Sequence, residues 1–213
     1  MDPNKVEISQ LEMFPQDLLG IIVSKVASTS AEDYYNCILS CKELGASAND
    51  KRVLKTLNLA PLVKKPLESI KYVSLMKKCL ANNNPDANYI KGIIRYFILN
   101  DSFEGHYYLG LAAKAGKKEA IYLYAILLLC AGRFIEGKLY FSQLRWTVET
   151  TMVETCWKNI KESLHGIRVA RKRMYLLSLQ EMKPTTLCHL RDLDNTCAKC
   201  FYYKRMFKFI FMV

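Results

Sequence analysis

Near the C-terminus the run CHLRDLDNTCAKC gathers Cys188, Cys197 and Cys200, the last two as a CxxC. Thiols at such spacing can do two kinds of chemistry: hold zinc, or cycle through a disulfide. Zinc wants four ligands in a tetrahedron, usually from two paired elements. Here there is one pair plus Cys188 with His189 beside it, and Cys156 or His165 would have to complete the set from a distance. A thioredoxin-like couple needs a strand–helix frame, and no such pattern surrounds this CxxC. The sequence therefore predicts a structural cysteine group, with no metal and no cofactor. The three histidines, His106, His165 and His189, have no histidine partner at i+4 and form no HExxH zinc pair. There is no GxSxG elbow. Gly110 and Gly116-Lys117 approach a phosphate loop, but the spacing is one residue too long and the context is helix to helix. His106 reads as a helix-start residue rather than a general base. No catalytic residue is predicted, so the expected work of the chain is binding.

Binding surfaces need elements to carry them, and the most informative ones lie between Leu11 and Leu44. A first helix should begin at Phe14-Pro15, where proline has no N–H to waste. It should carry Leu18, Leu19, Ile22, Val23 and Val26 as an apolar stripe at helical spacing. Thr29 and Glu32 have the spacing of a capping box that restarts the chain. The second helix would then bear Tyr34, Tyr35, Ile38, Cys41 and Leu44, with Gly45 as its left-handed stop. Two such helices cannot bury both apolar faces by themselves.

This segment resembles an F-box. The residues carrying the resemblance are Phe14-Pro15, Asp17-Leu18-Leu19, Ile22 and Val26, then Asp33, and Ser40-Cys41-Lys42 followed by Leu44. Phe-Pro stands where most F-boxes have Leu-Pro, and Leu44 where many have Trp. The run ASTSAED resembles a plant branch of the family. The resemblance implies docking on a Skp-family adaptor and, through it, on a cullin-RING ubiquitin ligase. The residues expected to form that surface are Phe14, Pro15, Leu18, Leu19, Ile22, Val26, Ile38 and Cys41.

Composition suits a globular chain: 51% of the 213 residues are apolar and 24% charged. The opening MDPNKVEISQ has no apolar run behind a basic start, so no secretory signal is expected. Ala120–Gly132 is the longest apolar-leaning stretch and is too short for a membrane span, which needs roughly 20 residues. The eight cysteines are too sparse for a disulfide framework. Cys37, Cys79 and Cys130 read as small core hydrophobes, and a reducing compartment, cytoplasm and/or nucleus, is expected. The net charge of +11 is uneven: residues 1–50 carry −5 and the remainder +16. Two surfaces with different partners would produce such an asymmetry. The later cations are scattered in pairs such as Lys64-Lys65 and Lys117-Lys118, without a nucleic-acid motif, so a solvated basic face is expected and nucleic acid is not.

An internal repeat organises the middle of the chain. The shift that takes Ala87 to Ala120 also takes Tyr89 to Tyr122, Gly92 to Ala125 and Ile93 to Ile126. Farther along, GHYYLGLAAKAG at 105–116 echoes GKLYFSQL at 137–144, with Tyr108 against Tyr140, but at a shift one position shorter. Two helices per unit at this period are the signature of tetratricopeptide-like solenoids. Gly110, Ala112, Ala113, Gly116 and Ala120 resemble the small residues of the Sel-type repeat. Repeat residues of this kind build the solenoid and say little about its ligand. Asn82-Asn83-Asn84-Pro85-Asp86 is the strongest breaker in the chain. The aromatic and basic run from Phe201 to Val213 is expected to pack back as a last helix or strand.

The reading is an all-α chain: an F-box-like module over residues 1–50, linking or capping helices over 51–84, Sel/tetratricopeptide-like repeats over 85–150, capping helices over 151–187 and a cysteine-containing tail over 188–213. The resemblance implies the substrate-recognition subunit of a Skp–cullin–F-box ligase, and the basic excess after residue 50 suggests an acidic protein target of unknown identity. A non-ubiquitylating helical scaffold and a basic nucleic-acid-binding protein are the alternatives.

Overall fold

The computed structural model describes residues 10–185, 188, 192, 193 and 195–213. They form helices, turns and coil, with no strand among the described residues. The chain divides into two compact units, residues 1–60 with 72–87 and residues 61–71 with 88–213.

The first unit is built on α1 (Gln16–Thr29), α2 (Ala31–Ser40), α3 (Lys42–Ala46) and α4 (Lys51–Thr56), with α1 packed against the other three. Its core takes Leu19, Val23 and Ala27 from α1, Tyr34 from α2, Leu44 from α3 and Val53 and Leu54 from α4. Pro15 is the N-cap of α1, one residue outside the expected start. Ser30, not Thr29, caps α2, its hydroxyl accepting from the Asp33 N–H at 3.1 Å. The run Ser28-Thr29-Ser30 offers three oxygens, and the pairing slips by one residue from the Thr29/Glu32 reading. The second helix ends at Cys41, whose backbone is extended, and Leu44 and Gly45 belong to α3. Gly45 is therefore not a left-handed stop; the glycines with positive φ are Gly116, Gly132 and Gly166.

Helix α5 (Ala60–Lys64) leads into the second unit, and α6 (Val73–Ala81) returns to the first, where it packs on α4. Asn84 then fastens the turn after α6. Its side-chain amide donates to the carbonyls of Leu54 at 3.0 Å and Leu57 at 2.9 Å, and its oxygen accepts from the Ala87 N–H at the start of α7 (Pro85–Ile93). This buried side chain is satisfied at both ends. Asn84→Ala should remove a helix cap and leave two buried carbonyls without their donor, costing about 2–3 kcal/mol in urea unfolding. Ser30→Ala, with only the cap lost, should cost about 1 kcal/mol.

The second unit is centred on α9 (Lys118–Cys130). Nearly every residue of α9 from Ala120 to Cys130 is buried, so it has no polar face. Around it pack α8 (Ser102–Lys114), α10 (Phe134–Ser142), α11 (Thr150–Ser163), α12 (Arg173–Glu181) and α13 (Phe201–Phe211). The last helix carries the aromatic tail inward: Phe201 stacks on Trp146 with centroids 3.9 Å apart, and Phe209 meets Phe97. Two of its buried cations have protein partners. Lys204 donates to the carbonyls of Asp192 and Asn195, and Arg205 donates to the Glu154 carboxylate.

The repeat is visible in hydrogen bonds as well as in side chains. Asn83 (φ 54°) and Gly116 (φ 86°), separated by the same shift as Ala87 and Ala120, end α6 and α8 in the same left-handed conformation. The bonds Asn84 N–H to Cys79 O and Lys117 N–H to Ala112 O are the same bond one period on. Asn100 (φ 53°) and Gly132 (φ 79°) are a second such pair, but one position closer together. The slip has a structural cause. Residues Ile94–Ile98 wind as a π-helix, with the Leu99 N–H bonded to Ile94 O, five positions back. The corresponding Ala131 N–H reaches Leu127, four back. The first repeat is thus one residue longer than the second, and the wide turn absorbs the excess.

Candidate functional site

In the first unit the apolar stripe on α1 divides. Leu19 and Val23 turn into the core, at 1% and 0% exposure, while Leu18 and Ile22, one turn apart, stay exposed at 39% and 38%. Phe14 and Pro15, at the head of the helix, are exposed too, and Val26 is half-buried. Ile38 on α2 and Cys41 at its end are half-buried. The placement of Leu19 corrects its reading as a surface residue: it supports the helix from beneath and has no face to offer a partner. Met13, Ile21, Tyr35 and Leu39 add exposed apolar area that the sequence reading passed over. Ile21 was legible, being adjacent to Ile22 and one turn beyond Leu18.

What lies behind this face is fixed. The Gln16 amide donates to Ser47 Oγ at 2.7 Å and to Glu43 O at 3.2 Å. The Asn58 N–H donates to Ala27 O at 2.8 Å, and the Asn58 side chain to Thr29 O at 3.0 Å. Arg52 bridges Asp50 at 2.6 Å and Asp17 at 3.1 Å. Its hydrogen bonds hold the Asp50 carboxyl below the usual range, although partial desolvation works the other way. A Cβ at Gly20 would sit 2.5 Å from the Asp50 carboxylate, so any larger residue there must displace the Asp50–Arg52 pair. The helix that carries this apolar strip is pinned at both ends, so little side-chain or backbone freedom would be lost if a partner covered it.

The second unit carries a groove of about 480 Å³ on the repeat helices, lined by Phe103, His106, Tyr107, Lys114, Tyr124 and Arg133 among others. Phe103 is 85% exposed. Burial pushes the His106 pKa down, its Nδ1 lies 2.8 Å from Ser102 O, and its ring meets Tyr96 and Tyr124 edge-on. His106 is therefore a neutral wall residue, a turn inside α8 rather than at its start. Lys117, expected on a solvated outer side, is instead mostly covered: it pairs with Glu119 at 3.5 Å and lies over the Tyr89 ring. Burial opposes the charge on Glu119, yet Lys117 and the Asn159 amide outweigh it and hold that carboxyl below its ordinary range. Lys118 is the exposed member of the pair.

Cys188, Cys197 and Cys200, set aside as structural, lie together, their sulfurs within 4.8 Å of one another. His189 lies outside the described residues. Cys156 and His165 do not join the cluster. Cys79 and Cys130 are fully buried, as core residues, and Cys37 is half-buried. Among the described residues no helix is long and apolar enough to cross a membrane.

Residues 59–165, half of the chain, match the family model of plant tetratrico peptide repeats. The F-box protein At2g35280 of Arabidopsis thaliana is 69% identical over 146 residues, which cover 68% of this chain and 90% of that protein. The putative F-box protein At1g67623 of the same plant is 32% identical over 149 residues, covering 68% of this chain and 49% of its own length. The F-box protein At1g67340, also from Arabidopsis thaliana, is 29% identical over 120 residues, which are 55% of this chain and 32% of that protein. No solved structure matches. An exposed apolar strip on a pinned N-terminal helix, followed by helical repeats, is thus the architecture of a binding protein. The chain belongs to the plant F-box proteins with tetratricopeptide-like repeats. The repeat match begins at residue 59, ahead of the 85–150 span expected from the internal alignment, and takes in α6, whose terminal turn already repeats in α8.

Proposed function

We propose that this chain is the substrate-recognition subunit of a Skp–cullin–F-box ubiquitin ligase, joining adaptor and target without bond chemistry of its own. The observation that carries the reading is the strip Phe14, Leu18 and Ile22, apolar and exposed on a helix whose other side is fully committed to the core. Membership of the F-box family supports a Skp adaptor as the occupant of that strip. The mechanism is proximity: tethering a target raises the local concentration of its lysines near the ubiquitin-carrying enzyme. A reducing compartment, cytoplasm and/or nucleus, suits a chain with eight cysteines and no disulfide among them. The test is titration of a purified Skp adaptor into the full chain by calorimetry. Saturable one-to-one binding is expected, and absence of heat and of co-elution at high micromolar adaptor would leave only the scaffold reading.

The target surface in this proposal is the aromatic groove of the second unit, and its exposed Lys114 favours an acidic segment, Arg133 being paired with Glu136. Charge complementarity of this kind acts mainly on association rate and fades with ionic strength. Lys114→Glu in the groove, alone and with Lys118→Glu on the exposed surface outside it, should slow target capture in stopped-flow measurements and leave adaptor affinity unchanged. A capture rate indifferent to both salt and these reversals would show the basic face to be solvation only.

A further inference from the structure

The geometry points to a zinc site formed by Cys188, Cys197 and Cys200, which fastens the segment before α13 to the start of that helix. The sulfurs of Cys197 and Cys200 are 3.7 Å apart, and all three sulfurs lie within 4.8 Å of one another. In a tetrahedral thiolate site with Zn–S bonds near 2.3 Å, the edge between two sulfurs is about 3.8 Å. A disulfide needs about 2.05 Å, so the CxxC pair is spaced for sharing a cation and not for a bond. The Cys197 N–H points at the Cys200 sulfur at 3.3 Å, which ties the two ligands of the CxxC turn together. Cys200 is also the N-cap of α13, so its sulfur is fixed at the head of that eleven-residue helix.

The surrounding segment is built to hold this spacing. Lys204, fully buried on α13, donates to the carbonyls of Asp192 and Asn195, which lie in the sequence between the first ligand and the second. Asp192 and Asn195 are thereby held to the helix that carries the third ligand. Three soft sulfur donors select zinc over hard ions such as magnesium or calcium, which take oxygen. Iron–sulfur clusters are most often held by four thiolates, and among the described residues no other Cys, His, Asp or Glu joins the group. The fourth position is left to water or an exogenous donor. Binding converts three thiols to thiolates, so one Zn²⁺ enters and three protons leave.

The test uses the full chain, purified without a polyhistidine tag, stripped with a chelator and fully reduced. Titration with Co²⁺ should give the near-ultraviolet sulfur-to-cobalt charge-transfer band and the visible bands of tetrahedral cobalt, saturating at a single equivalent and abolished by Zn²⁺. Cys188→Ser, Cys197→Ser and Cys200→Ser should each lose the band, and Cys37→Ser should keep it. Zinc content of the chain as first purified provides a reading that needs no variant, should a serine substitution unfold the tail. Absence of the band at excess cobalt with all eight thiols titratable, its persistence in the Cys197→Ser and Cys200→Ser proteins, or a Cys197–Cys200 disulfide in freshly isolated protein overturns the site.

Discussion

Leu18→Ala combined with Ile22→Ala should weaken adaptor binding roughly 100- to 1000-fold while the chain stays folded. Both side chains are more than a third exposed and lie one turn apart on α1. Truncating them therefore removes partner contact without opening a cavity. Anchors of this kind cost about 2 kcal/mol each when cut back, and neighbours on one helix need not add in full. Leu19→Ala is the informative contrast. It is adjacent in sequence but 1% exposed, so its truncation should cost about 2–5 kcal/mol of stability in the first unit. In calorimetry with circular dichroism as a fold check, the double variant should lose affinity with an unchanged melt. Leu19→Ala should shift the melt first, and lose affinity only through unfolding. If the double variant binds as tightly as the parent, the α1 strip is not the docking face.

The contrast between Leu18 and Leu19 also shows what a sequence can and cannot say here. Both belong to one apolar stripe, because a helix that is buried on one side and docks a partner on the other is apolar on both. Periodicity identifies the helix and leaves the two faces undivided; only the packing of α4 against α1 separates them. The cap of α2 was out of reach for a different reason. Three consecutive hydroxyl residues satisfy the same rule, and a one-residue choice among them lies below what propensity resolves. The repeat was legible because small residues at fixed spacing mark close helix contacts. The shortening of the shift between the two halves of the repeat was legible too, as an unexplained slip, but its cause is a backbone event at Ile94–Ile98 that no side-chain pattern announces. Lys117 was read as a surface cation, since a sequence gives charge but not the carboxylate or ring that receives it. The three cysteines were grouped from the sequence as a structural set, but the distance between Cys188 and the CxxC depends on how Asp192 and Asn195 are tied to α13.

Gly105→Ala should lower the melting transition of the second unit by roughly 3–10 °C, corresponding to about 1–3 kcal/mol of overpacking. A Cβ at Gly105 would stand 2.6 Å from Tyr96 Cβ and 2.8 Å from the Tyr96 backbone, which sits in the π-helical turn and cannot simply rotate away. Gly137 is the same position one repeat later, and its Cβ would meet Leu129 at 2.7 Å. Leu129 follows Tyr96 by the full period that separates Ala87 from Ala120, and Gly137 follows Gly105 by one position less, so the two clashes are one contact repeated across the slip. Because the nearest obstacle at Gly137 is a leucine side chain, Gly137→Ala should cost less than Gly105→Ala. Gly110→Ala would touch only the Tyr124 ring, at 3.3 Å, and alanine gains up to about 1 kcal/mol over glycine in a helix. It should therefore be close to neutral. The order of the three melts is the measurement. Equal losses at Gly105 and Gly110 would mean that helix propensity, not the close approach of successive repeat helices, decides stability here, and the proposed register of the repeats would fail with it.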